Sequence, residues 1–194
     1  MFKRIAAVAL LTLPIAAFAS DAYTIDPYHT FPNFSLDHLG VSTIYGRFDK
    51  TSGKATLDRA AKSGSLDITI ATASVTTGDS DKGTRARSRD EHLRSADFFN
   101  VAEFPNATYK STKVVFTGDN PTAIEGNFTL LGVTKPLNLK IERFKCNPAS
   151  GNNKERCGGN ATGTFKRSDY GMKFGVPGIG DEVALMISFE ALKD

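Results

Sequence analysis

Apolar and polar residues alternate one for one along much of this chain, and a period of two leaves little choice of secondary structure. Leu137, Leu139 and Ile141 interleave with Asn138, Lys140 and Glu142, and Val183, Leu185, Ile187 and Phe189 repeat the pattern near the end. Leu66, Ile68 and Ile70 do the same, as do Ile124, Gly126, Phe128 and Leu130, while Phe34, Leu36 and His38 alternate with Ser35, Asp37 and Leu39. Successive side chains of a strand project to opposite faces, so each run reads as a strand with one apolar and one polar face. That is the pattern of antiparallel sheet wet on one side. About eight such segments occur, separated by Gly- and Asn-rich turns, and eight strands suffice to close into a barrel. The same alternation fits a two-sheet sandwich, and periodicity does not separate the two.

The first nineteen residues are of another kind. Lys3 and Arg4 precede an uncharged apolar run from Ile5 to Phe18, and Ala17-Phe18-Ala19 stands before Ser20, which reads as a secretory signal with an Ala-x-Ala cleavage site. A run of about 14 apolar residues broken by Pro14 falls short of the roughly 20 that span a bilayer, so cleavage leaves no transmembrane anchor. The expected division is therefore a signal peptide over 1–19 and one β-barrel domain over 20–194, exported to the periplasm. Cleavage removes two of the 24 basic residues and none of the 21 acidic ones, leaving a net charge of +1. A nearly neutral exported protein has little electrostatic pull on nucleic acid. About 175 residues remain, a length that suits one domain with one core.

Cys146 and Cys157 flank Asn147-Pro148-Ala149-Ser150-Gly151-Asn152-Asn153-Lys154-Glu155-Arg156, a turn-forming segment that brings its ends together. In an oxidising compartment the pair reads as a disulfide stapling a long hairpin loop, worth about 2–3 kcal/mol through loop closure. Two thiols do not complete a zinc site.

One helix is expected, capped near Asp79 or Ser80 and running through Arg89-Asp90-Glu91-His92-Leu93-Arg94 towards Ala96. Its interleaved charges fit a solvated face with weak local ion pairs. Leu93, Phe98 and Phe99 suit a lid or side wall across a barrel opening. The segment from Gly171 to Gly180 combines four glycines and Pro177 with Met172, Phe174, Val176 and Ile179. It reads as an ordered irregular loop whose apolar side chains either gate a cavity or pack as core.

Catalytic signals are sparse. The three histidines, His29, His38 and His92, are scattered, and HExxH, GxSxG, P-loop and GxGxxG patterns are missing. His29 and His38 lie an odd interval apart and would point to opposite faces of one regular strand. No metal or catalytic cofactor is expected, and the chain reads as a non-enzyme. Placing the alternating sets inside gives Phe34, Leu36, Ile44, Phe48, Leu66 and Ile68, then Tyr109, Val115, Phe128 and Leu130. Leu137, Leu139, Ile141, Phe165, Leu185, Ile187 and Phe189 complete the set. Such a barrel is either filled by these side chains or holds one ligand among them. His38, in phase with Phe34 and Leu36, reads either as a satisfied interior histidine or as the group that selects a ligand head.

Longer motifs add a resemblance. Asp26, His29 and Thr30 lead into Phe34, Leu36 and His38-Leu39-Gly40. Gly46 and Phe48 follow, then Arg89-Asp90-x-His92-Leu93-Arg94-Ser95-x-Asp97-Phe98-Phe99. Lys110-Ser111, Gly132-Val133-Thr134-Lys135-Pro136, Arg167-Ser168-Asp169-Tyr170-Gly171 and Gly180-Asp181-Glu182-Val183 complete the series. Over nearly the whole mature chain this resembles the YceI family. The resemblance implies an all-β, antiparallel, eight-stranded lipocalin-like barrel with one helix between strands and a lipid cavity. It implies a ligand that is a long isoprenoid chain, such as a quinone or polyprenyl lipid, or a fatty-acid derivative, and it is compatible with a homodimer. The chain has no tryptophan, so the Gly-x-Trp signature of lipocalins proper is missing and the likeness to them is one of shape. Two departures stand out. Pro32-Asn33 occupies a strand where the family has small or β-branched residues, which suggests a bulge or an edge there, and the cysteine loop is the other. Besides lipid carriage, the sequence leaves open a secreted stress-response interaction protein that uses the barrel as scaffold, and a lipid hydrolase or isomerase.

Overall fold

The computed structural model describes residues 20–194, so the expected signal peptide lies outside the described residues. The strands are β1 (Asp21–Ile25), β2 (Phe31–His38), β3 (Ser42–Phe48), β4 (Thr51–Asp58), β5 (Ser63–Ala71) and β6 (Val75–Thr76), then β7 (Asn106–Thr117), β8 (Asn120–Leu130), β9 (Val133–Pro136), β10 (Leu139–Asn147), β11 (Arg156–Lys166) and β12 (Glu182–Lys193). Eight of them, in the order β1, β4, β5, β7, β8, β10, β11 and β12, form a ring of antiparallel neighbours that β12 closes by pairing with β1. Closure settles the choice between barrel and sandwich. Beyond its pairs with β1, β12 also holds β2, with Leu185 opposite Phe34, and β3 and β6 extend the sheet from there.

Pro32 is a correction. It lies at neither an edge nor a bulge: β2 runs between β12 and β3, and Pro32 sits opposite Ile187. The ladder to β3 begins one residue later, at Asn33 with Arg47, so the missing N–H falls outside it.

The helix is also shorter than its sequence suggests. α1 spans Arg89–Arg94, and its cap is Ser88, whose hydroxyl accepts from the Glu91 N–H while the Glu91 carboxylate accepts from the Ser88 N–H. Upstream, Asp79 is not a cap. It accepts a paired hydrogen bond from Arg85 at 2.6 and 2.7 Å, and Gly83 takes a positive φ of 54° that interrupts a helix. The buried Asp90 carboxylate ties α1 to β6, accepting from the Thr77 N–H at 2.8 Å and from the Thr76 and Thr77 hydroxyls. Arg94 adds bonds to the carbonyls of Ala73 and Val75. No helix among the described residues is long and apolar enough to cross a membrane.

A polar strap closes the outside of the ring between β1 and β2. The buried Asp26 carboxylate accepts from the Tyr28 N–H, pairs with His29 Nδ1 at 2.9 Å and with Arg156 at 2.8 Å, and Arg156 also pairs with Glu190 on β12. Burial works against the charge on Asp26, but the bonds from His29, Tyr28 and Arg156 outweigh it and hold the carboxyl below its usual range. Cys146 and Cys157 sit directly opposite each other on β10 and β11 and form a disulfide.

A carboxyl with a depressed folded pKa stabilises the fold above its unfolded value, and that contribution vanishes as pH falls through the folded value. Asp26→Asn is expected to lower stability by about 1.5–3 kcal/mol at neutral pH. The gap to wild type should narrow towards pH ~2, below the ordinary carboxylate range. Urea denaturation at both pH values measures it, and a gap independent of pH would contradict the strap.

Candidate ligand-binding cavity

The inward faces do not fill the barrel. A cavity of about 160 Å³ runs inside it, and its wall presents carbon only. At one end lie Leu93 of α1, Phe98 and Phe99 from the turn after it, and Met172 from the 171–180 loop. Further in, Phe34, Leu36, Phe48, Leu66, Ile68, Tyr109, Phe128 and Leu130 border the void, with Leu137, Leu139, Phe165, Leu185, Ile187 and Phe189 completing the expected set that does so. Several of these, including Leu66, Phe128, Phe165, Leu185 and Phe189, are only half-buried although they point inward, because the cavity is what they face.

The aromatic lining is interlocked. Phe128, Phe165 and Tyr170 form a triangle with ring centroids 5.4–5.5 Å apart, and Phe48 sets its edge on Phe99 at 5.3 Å. Gly46 makes room for Phe34, since a Cβ there would lie 2.4 Å from the ring. That close approach explains the glycine two residues before Phe48.

Five expected residues stand elsewhere. Val115 does not border the cavity: a register shift between Ser111 and Lys113 of β7 reverses the phase, so Val114 points in instead. Ile44 sits opposite Leu36 on β3 and does not border the cavity, although Phe48 of the same strand does. His38 ends β2 beyond Leu36 and bridges to Ile179 of the 171–180 loop. Ile141 borders a smaller, separate chamber. Phe174 is 45% exposed and packs from outside on Phe98 and on His92, with centroids at 5.3 and 4.9 Å. The loop thus both covers the end of the cavity, through Phe174, and contributes a core residue, Met172. Arg167, almost fully buried, ties it down by donating to the carbonyls of Gly180, Met172 and Ile179. Burial pulls that guanidinium below its usual pKa, against the opposing charge of Asp181.

The wall also includes residues missing from the inward list. Ile70, Ile124 and Val183 belong to the alternating runs and were legible by phase. Ile25, Thr30, Pro32, Thr51, Ala107, Ala161 and Arg167 were not, being strand ends, small or polar. Thr51 stands out among them. It shares its strand phase with Ala55 and Leu57, and its Oγ1 is the one buried side-chain polar atom without a hydrogen-bond partner among the described residues. Thr30, by contrast, exchanges hydrogen bonds with the Glu190 backbone, and the Tyr109 hydroxyl donates to the carbonyls of Leu137 and Ile124.

Two groups of side chains have the donor types of a metal site. Asp26, His29 and Glu190 converge, but the Arg156 cation lies among them, and Cys146, Glu155 and Cys157 converge around the disulfide. His92 is engaged by Asp97 at 2.8 Å.

An unmatched buried hydroxyl costs about 1–3 kcal/mol. Thr51→Val is therefore expected to raise the stability of the ligand-free protein by about 1 kcal/mol in urea denaturation. A loss of stability would show that the hydroxyl is bonded in solution.

Comparison with known proteins places this barrel in company. The YceI-like domain matches residues 23–191. A UPF0312 protein of Pseudomonas paraeruginosa is 38% identical over 98% of both chains, and the YceI protein of Salmonella arizonae is 40% identical over 88% of this chain and 86% of its own. Among solved structures, the Campylobacter jejuni YceI protein superposes with a TM-score of 0.66 at 29% identity, covering 81% of this chain and 90% of that one. A Saccharophagus degradans domain described as polyisoprenoid-binding has a TM-score of 0.61 at 18% identity, covering 90% and 99%.

Proposed function

This chain belongs to the YceI-like family, and from that premise and its carbon-walled cavity we propose that it is a periplasmic protein that binds, stores or carries a long isoprenoid lipid of quinone or polyprenyl type. The observation that carries the reading is the void itself. At about 24 cal/mol per Å³ an empty cavity of this size costs on the order of 4 kcal/mol, a large part of the 5–15 kcal/mol that typically holds a domain together. A void lined only by carbon is matched by an apolar occupant. A chain that hides ~400 Å² of apolar surface gains on the order of 10 kcal/mol gross before ordering costs, enough for retention in water.

The volume constrains how such a chain is held. About 160 Å³ is close to the engineered cavity of ~150 Å³ that takes up benzene. A full isoprenoid therefore needs half-buried side chains of the wall such as Phe128, Phe165 and Leu185 to rotate outward along it. The polyisoprenoid-binding description of the Saccharophagus degradans domain, which shares the barrel, supports the ligand class. Carriage is favoured over catalysis because no histidine or carboxylate among the described residues borders the cavity, and His29 and His92 are engaged by Asp26 and Asp97.

Filling the void tests this reading. Leu185 and Ile68 face the cavity, and Leu185→Phe combined with Ile68→Phe is expected to preserve the fold by circular dichroism while abolishing uptake of a prenylated quinone. Wild type should take up one molecule and show a raised unfolding temperature. Equal uptake by the filled variant would contradict a site inside the barrel.

A further inference from the structure

The main cavity is not the only void in the barrel. Towards the disulfide lies a second chamber of about 70 Å³, bordered by Tyr23, Leu57, Val114, Ile141, Phe144 and Cys157 among others. Ile25, Leu66, Ile124 and Phe189 border both voids, so one layer of side chains separates them. They come from β1, β5, β8 and β12, strands distributed around the ring.

The backbone that carries this layer is held by side-chain hydrogen bonds at or beside its members. The Leu66 N–H donates to Ser111 Oγ at 2.7 Å, at the register shift of β7. The Ile124 carbonyl accepts from the Tyr109 hydroxyl at 3.2 Å, a proton shared with the Leu137 carbonyl at 3.0 Å. Gly126 permits that reach, because a Cβ there would lie 2.5 Å from the hydroxyl. Beside Phe189, Glu190 is held through both its N–H and its carbonyl by Thr30, each bond 3.1 Å long. The same carbonyl accepts from the N–H of Asp26, the residue after Ile25, at 2.9 Å. Three polar side chains thus anchor the backbone around this layer, Ser111 at Leu66, Tyr109 at Ile124, and Thr30 at Glu190 beside Phe189.

We propose that these four residues form a septum that sets the length of chain the barrel accepts. Resting on the lipid-binding reading, the ligand lies with its end against the septum and the rest directed towards α1. The chamber beyond is the space a longer chain occupies once a septum side chain is cut back. Chain-length selectivity then resides in Ile25, Leu66, Ile124 and Phe189, separately from any recognition of the head group.

Straight-chain alcohols lengthened two carbons at a time, with one long prenyl alcohol alongside, provide the ruler, and displacement of a fluorescent fatty probe measures their affinity. For wild type, affinity is expected to rise roughly fourfold for each further methylene seated and then level off. Phe189→Ala should level off at a longer chain, with Phe189→Leu as the milder variant where alanine impairs folding. Adding Ile141→Phe, which fills the second chamber without touching the septum, should restore the wild-type limit. The same limit in wild type and in the folded Phe189 variants would overturn the septum while leaving lipid binding intact. Failure of wild type to bind any alcohol, the prenyl one included, would overturn lipid binding itself and the septum with it.

Discussion

β12 holds the barrel shut. Its twelve residues pair along one side with β11 from Arg156 to Lys166, and along the other with β1 at Tyr23–Ile25 and then with β2 at Phe31–Ser35. A strand that serves three neighbours removes the free edges of the ring. It also sets the phase of Val183, Leu185, Ile187 and Phe189, which all border the cavity. The Asp26–Arg156–Glu190 strap and the Thr30 bonds to Glu190 lock the point at which β1 gives way to β2, so closure of the ring and placement of the inner layer share the same few interactions.

Much of this was legible in the sequence because strand periodicity survives wherever the ladder is regular. Leu137 and Leu139, Leu66 and Ile68, and the β12 set all fall where their alternation puts them. Val115 fails for a local reason: the irregularity after Ser111 reverses the phase, and nothing in Lys110-Ser111-Thr112-Lys113 announces it. The start of α1 was obscured because Asp79 and Ser88 are both good caps by type, and only the reciprocal bonds of Ser88 and Glu91 distinguish them. Pro32 reads as an edge from sequence because a proline has no N–H to give a ladder, and only the assembled register shows that pairing with β3 begins one residue later, at Asn33. Thr51 is the hardest case. Its importance lies in the absence of a partner, and pairing is a property of the assembled wall.

The interior departs from ordinary close packing in a directed way. Protein cores fill their space to crystal-like density, yet here large side chains leave a continuous void, while Arg167 and Thr30 have their polar groups turned to backbone partners. The result is an apolar channel with a covered end at α1 and, at its depth, one layer of side chains between it and the second chamber. Packing at the covered end is aromatic and layered, with Phe174 outside Phe98 and His92 between Asp97 and the two rings.

Whether the void is occupied in the cell is the question on which this account turns. Native mass spectrometry of the protein, purified from its own cells with no lipid added and followed by organic extraction, addresses it directly. Lipid binding predicts a discrete non-covalent mass above that of the polypeptide, which extracts as a prenylated quinone or polyprenol. A bare polypeptide mass, unchanged after incubation with prenyl and fatty-acyl lipids, would contradict it and leave the inward residues as core alone.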